Sequence, residues 1–109
     1  MGHDVFISYS HHDKSVADAV CNALESDGLR CWIAPRDVLP GSDWAESILK
    51  AIAGCRAMVL IFSSSANQSA QVPREVERAV SKEKIIVPFR VENIFPSGSL
   101  EYALSTTHW

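Results

Sequence analysis

The residues able to do chemistry gather around two stretches of this chain. Residues 3–13 read HDVFISYSHHD, an apolar run that ends in hydroxyls, two histidines and an aspartate. Residues 34–52 read APRDVLPGSDWAESILKAI, a turn-rich loop entering an amphipathic segment that carries Glu46. Glu46 lies three residues past Asp43, the spacing of a capping box, so position alone reads as a charge at a helix start. The same place keeps a carboxylate ionised, because the helix N-terminus favours negative charge by about 0.3–1 kcal/mol. Such a group can steady positive charge developing on a bound molecule. Arg36 presents a planar fork of donors suited to phosphate or ribose, or else is a solvated or subunit-contacting loop charge. Ser8, Tyr9 and Ser10 could bring hydroxyls and backbone N–H groups to a diphosphate at the start of the first helix. Trp44 and Trp32 are planar surfaces for stacking, with core packing the competing role for each. His11 and His12 lack a nucleophile and a third partner, so they read as loop residues, and Asp13 reads as a helix cap.

These groups need a scaffold, and the pattern of elements is βαβαβαβ. Val5–Ser8 is apolar nearly throughout, as in a strand covered on both faces. Ser15–Glu25 follows as a helix, with Val16, Val20 and Leu24 on one stripe beside Ala17 and Cys21, and Gly28 just past its end. Leu29–Ile33 is expected as a second strand. Residues 35–41 hold two prolines and a glycine, which makes them a loop. A helix capped by Ser42 or Asp43 runs to about Gly54, and Ala57–Phe62 is the strongest strand signal. Residues 63–71 are expected as a polar loop, and Pro73 as the first turn of a helix through Lys82 with Val76, Ala79 and Val80 inward. Ile85–Phe89 is a further strand, in which Pro88 implies a bulge or a strand end. The chain then offers one short helical turn at Leu100–Ala103 and the start of a final strand at His108–Trp109, so a C-terminal strand and helix are expected to be incomplete.

Alternating strands and helices imply right-handed crossovers and a parallel sheet. The expected fold is a flavodoxin-like three-layer α/β/α domain over residues 1–109, with four parallel strands and helices on both faces. Ligands in such sheets gather beyond the carboxyl ends of the strands. The loops there are 9–13, 34–43, 63–71 and 91–99. No glycine-rich phosphate fingerprint of the Rossmann or P-loop type occurs.

Composition removes several function classes. A formal net charge of −3 over 109 residues, with scattered Lys and Arg, argues against nucleic acid or an anionic membrane as partner. The longest purely apolar run, Ala57–Phe62, is far too short to span a bilayer. Nothing near the N-terminus resembles a signal peptide. Three cysteines, at 21, 31 and 55, lack the spacing of a disulfide framework or a zinc site. They are expected reduced and partly buried, as in a cytoplasmic protein, and no metal is expected.

Phe6–Ser10 (FISYS) with His11–Asp13, the box Cys31–Gly41 (CWIAPRDVLPG), and the strand-plus-serine block Val59–Ser64 followed by Ser69 and Pro73–Glu75 occur here in order. Together they resemble a Toll/interleukin-1 receptor (TIR) domain of the prokaryotic type. The family holds scaffolds that assemble signalling complexes and enzymes that split NAD at the nicotinamide–ribose bond. The resemblance implies a glutamate in the helix after the second box as the catalytic group, which on this sequence is Glu46. It implies NAD as substrate, no separate cofactor, and nicotinamide with ADP-ribose or a cyclised ADP-ribose as products, in prokaryotic antiviral signalling. The alternative is a non-enzymatic module binding other TIR domains through residues 34–41. One carboxylate suffices for such a reaction, since nicotinamide leaves as a neutral base and needs no proton donor, unlike the two-carboxylate scheme of ordinary glycosidases.

Overall fold

The computed structural model describes residues 2–105. Four strands, β1 (Val5–Ser8), β2 (Cys31–Trp32), β3 (Ala57–Phe62) and β4 (Ile85–Arg90), form one sheet in the order β2-β1-β3-β4. Every pairing is parallel, with Val5 opposite both Cys31 and Ala57, and Ala57 opposite Ile85. The sheet reverses direction of growth between β1 and β3, which opens a crevice at their carboxyl ends.

Helices cover both faces. On one side α1 (Lys14–Ser26) lays Ala17 and Cys21 on Val5, Ile7, Val59 and Ile61. On the other, α2 (Trp44–Gly54), α3 (Ser64–Gln68), α4 (Gln71–Ser81) and α5 (Gly98–Ala103) enclose the larger core. That core includes Phe6, Ile52, Met58, Leu60, Phe62, Val76 and Leu100. The flavodoxin-like three-layer architecture read from the sequence is thus the one observed.

Several boundaries differ, each for a local reason. The second strand pairs only through Cys31–Trp32, not from Leu29 to Ile33. Asp37 takes the Ile33 N–H onto its carboxylate at 2.9 Å and returns its own N–H to the Ile33 carbonyl at 3.0 Å, so the chain turns before the ladder can extend. Residues 63–71 are not a continuous polar loop. Ser63 accepts the Ala66 N–H and starts α3, and the Ser69 hydroxyl accepts from Gln71 and Val72 N–H at 3.1 Å to start α4. Pro73 sits third in α4, within the first turn as expected, where its missing N–H costs nothing. Pro88 makes neither a bulge nor an end. The β4 register runs through it unbroken, opposite Leu60, because among the described residues β4 is an edge strand. The expected last strand at His108–Trp109 lies outside the described residues.

Gly28 at φ +89° follows α1, and Gly41 at φ +79° turns the chain toward α2, both in the left-handed region that suits glycine. Among the described residues no helix is long and apolar enough to cross a membrane.

Candidate functional site

At the carboxyl end of β1 lies a cavity of about 600 Å³, walled by residues from β1, the 9–11 segment, the Ala34–Pro35 turn, α2 and α4. From β1, Phe6 and Ile7 line it, while Ser8, expected at a ligand, is not part of the wall. Phe6 and Ser8 point toward the α4 side, while Val5 and Ile7 point toward α1. Ser8 is fully buried, and its hydroxyl donates 2.8 Å to Oε1 of Glu75 on α4. Gln71, one turn earlier, donates from Nε2 to Oε2 at 3.0 Å. Glu75 is 8% exposed and lines the cavity. Each of its oxygens thus holds one neutral donor. Burial pushes its acid group above the ordinary carboxyl range, and the Gln71 and Ser8 hydrogen bonds pull the other way. A buried carboxylate with no hydrogen-bonded cation, at the mouth of a mostly apolar cavity, is suited to meet positive charge brought by a ligand.

Glu75 was not singled out by the sequence reading, although the signal was present. It follows Val72 by three and precedes Ala79 by four, and all three are buried. A carboxylate on the inward stripe of a helix is a buried charge, and buried charges require a reason.

Glu46 stands elsewhere. It lies in the first turn of α2 with its side chain 64% exposed, pairs with Lys50 at 2.9 Å, and is not part of the cavity wall. Asp43 caps that helix, accepting from Ala45 N–H at 2.9 Å and Glu46 N–H at 3.3 Å. The helix face explains the placement. Ile48 and Ile52 turn toward the core, and Glu46 is half a turn away from Ile48.

Arg36 is also directed away from the cavity. Its guanidinium bridges both Glu25 oxygens at 2.8 and 2.9 Å, Asp37 at 2.9 Å and the Cys31 carbonyl at 2.8 Å. These acceptors hold it firmly protonated, Glu25 first and Asp37 second. It pins the 34–41 loop to α1 instead of reaching a ligand in the cavity.

The other expected residues do converge. Tyr9 and Ser10 line the cavity, and the Tyr9 hydroxyl donates to the Ala34 carbonyl, tying the β1 loop to the second loop. Burial raises the Tyr9 phenol above its ordinary value. Trp32 is buried, stacks on Phe6 at 5.1 Å with an interplanar angle of 7°, and lines the cavity. Trp44 is 54% exposed and forms an aromatic wall with Pro35 nearby. Lys14 brings the cation of the rim, paired with Asp18 at 2.8 Å in the open, and His11 stands beside it. His12 is exposed and does not line the cavity. Asp13 accepts a hydrogen bond from the Ser63 hydroxyl, joining the first loop to the start of α3 rather than capping α1 with its side chain.

The family model that matches this chain is that of the TIR domain, over residues 5–109. The stimulator of interferon genes protein of Magallana gigas is 34% identical over 76 residues, which is 69% of this chain and 18% of that protein. Among solved structures, the TIR domain of the Toll-related receptor TRR-2 from Hydra magnipapillata superposes with a TM-score of 0.83 at 22% identity, covering 98% of this chain and 82% of that one. The TIR domains of the activated Roq1 resistosome, which recognises the pathogen effector XopQ, give 0.77 at 21% identity, covering 96% of this chain and 70% of that one. At those identities the likeness is one of fold. A metazoan TIR-STING receptor from C. gigas gives 0.76 at 26% identity, covering 93% of this chain and 36% of that one. The chain therefore spans under a fifth of its curated relative and about a third of the TIR-STING receptor.

Proposed function

Because the chain belongs to the TIR domain family, matched over residues 5–109, we propose that its cavity cleaves NAD at the nicotinamide–ribose bond. The observation that carries this reading is Glu75, a buried carboxylate at the mouth of an apolar cavity with each oxygen held by a neutral donor. In NAD the pyridinium carries the positive charge before cleavage, and the ribose acquires it as the bond breaks. A carboxylate with no competing cation is well matched to that migration, and exclusion of water strengthens the attraction. Tyr9, Trp32 and Trp44 supply aromatic surface for the base rings. Lys14 at the rim, with Ser10 beside it, meets the diphosphate. This assigns the carboxylate role to Glu75 in place of Glu46 and gives Arg36 a part in holding the loop. We assign the activity to immune signalling, as the resemblance implies, and to the cytoplasm, as three reduced cysteines imply. Water or an internal adenine nitrogen can accept the ribosyl carbon, giving ADP-ribose or its cyclic form.

A second reading, association with further TIR domains, is favoured by exposed apolar residues beside the site. Leu39 is 71% exposed, Trp44 54% and Leu49 43%. Leu39 lies in the 34–41 loop and Trp44 and Leu49 on the helix after it, and a neighbouring copy would cover them. The two readings combine if assembly completes the site.

The test is to incubate the protein with NAD over a wide range of protein concentrations and to separate the products chromatographically. Nicotinamide released in step with ADP-ribose or cyclic ADP-ribose is expected, rising more steeply than linearly where assembly takes part. No nicotinamide at any concentration, from a folded protein shown to self-associate, would leave the assembly reading alone.

A further inference from the structure

Opposite the cavity, on the α1 face, lies a cluster that the proposed reaction does not use. Cys21 on α1 and Cys31 on β2 are both buried, and their sulfurs and a Glu25 oxygen all lie within 4.8 Å of one another. Arg36 binds over the group, with Nη1 3.6 Å from the Cys21 sulfur and its other hydrogen bonds on Glu25, Asp37 and the Cys31 carbonyl. Beside them opens a cleft of about 360 Å³ whose wall includes Cys31, Glu25, Arg36 and His3. Cys31 thus borders a cleft open to small solutes, and the Cys21 sulfur lies within 4.8 Å of the Cys31 sulfur.

We propose that Cys21 and Cys31 are a dithiol modification site, oxidised to an intramolecular disulfide by a small two-electron oxidant of the peroxide class. Two observations single out this chemistry. The sulfurs belong to elements packed on each other and lie within 4.8 Å, so closing the pair to the roughly 2.05 Å of a disulfide takes an approach of under about 3 Å. A bound cation is the competing use of such a cluster. It would need Glu25 as a ligand, whose two oxygens already hold Arg36. A disulfide is neutral and asks nothing of Glu25.

The steps balance. From the cleft the peroxide meets Cys31, whose sulfur attacks one peroxide oxygen. The O–O bond breaks, and the departing hydroxide takes the Cys31 proton to leave as water, giving a sulfenic acid. The Cys21 sulfur, beside the Arg36 guanidinium, then displaces hydroxide from that sulfenic sulfur, and this hydroxide leaves with the Cys21 proton as a second water. Two electrons pass from the thiols to the peroxide. The new bond ties α1 to the strand that leads into the 34–41 loop.

The full chain, reduced and freed of reductant, is exposed to hydrogen peroxide in native buffer, alkylated, and digested with trypsin without reduction. Cleavage after Lys14, Arg30, Arg36, Lys50 and Arg56 puts the three cysteines on separate peptides, 15–30, 31–36 and 51–56. The expected product is 15–30 joined to 31–36, formed at a rate independent of protein concentration. Cys55, enclosed in the other core with its thiol on the Ile52 carbonyl at 3.2 Å, is the internal control and stays unmodified. Cross-linking that appears only in denaturant, that involves Cys55 equally, or that runs between molecules overturns the proposal. So does recovery of Cys21 and Cys31 as free thiols or as separate sulfinic acids. The wild-type mapping decides the matter without a variant, and Cys21→Ala or Cys31→Ala, where folded, should show no 15–30 adduct with 31–36.

Discussion

Ser8→Ala isolates the electrostatics of the buried carboxylate, because it deletes one hydroxyl and leaves the β1 backbone in place. Ser8 is fully buried and Glu75 nearly so, and their 2.8 Å hydrogen bond is one of two donors to that carboxylate. Above the folded value of the Glu75 acid group, the bond is charge-assisted and its loss should cost about 1.5–3 kcal/mol. In a domain of this size that corresponds to about 6 °C or more in Tm. Below the ordinary carboxyl range Glu75 is protonated in both folded and unfolded chains, and the loss falls to about 0.5–1.5 kcal/mol. The sign follows from linkage. Burial already raises the folded value, and removing Ser8 raises it further. A raised acid group contributes stability at low pH that disappears as pH climbs through its folded value. The variant's deficit should therefore widen from acid to neutral pH. Thermal and urea unfolding of both proteins between pH 4 and 8 measures it. An equal deficit at every pH would mean that Ser8 acts only through packing and that Glu75 is not charged beside it.

Three other outcomes follow from the geometry. Asp43→Ala removes the acceptor for the Ala45 and Glu46 N–H groups and should cost about 0.5–2 kcal/mol in urea unfolding. Arg36→Ala frees the 34–41 loop from Glu25, Asp37 and the Cys31 carbonyl, so hydrogen exchange at the Asp37 and Val38 amides should accelerate while amides of β3 hold their rates. Ile52→Ala empties a fully buried position between α2 and the sheet and should destabilise the fold by about 2–5 kcal/mol, read in the same unfolding assay.

What could be read in advance tracks how local the physics is. The β1 and β3 strands and the stripe of Val76 and Ala79 on α4 declared themselves through period and burial alone. The second strand was overestimated because Asp37, four residues later, captures the Ile33 N–H, and side-chain competition for a backbone group leaves no mark in hydropathy. Pro73 does fall in the first turn of α4, but residues 63–71 were read as one polar loop because α3 and the start of α4 rest on the Ser63 and Ser69 hydroxyls, which hydropathy does not register. The site divides in the same way. Tyr9, Ser10, Trp32 and Trp44 follow from their loops and strand ends and do meet at one cavity. Glu46 and Arg36 drew attention through residue type, and their directions depend on helix phase and on the acceptors of α1. Glu75 was legible as an acid on an apolar helical stripe, but its partner Ser8 lies 67 residues away and only the sheet brings them together.

The most direct measurement of the central claim is NAD turnover by Glu75→Gln and Glu46→Gln side by side, each with folding and self-association checked. Gln preserves the shape of Glu75 and can still accept from Ser8, so the Glu75→Gln protein should fold and lose at least about a hundredfold in turnover, equivalent to roughly 2.7 kcal/mol of transition-state stabilisation. Glu46→Gln removes only an exposed pair with Lys50 and should stay within a few-fold of wild type. Full activity in folded Glu75→Gln, with loss in Glu46→Gln, would contradict the account and return the carboxylate's role to the start of α2.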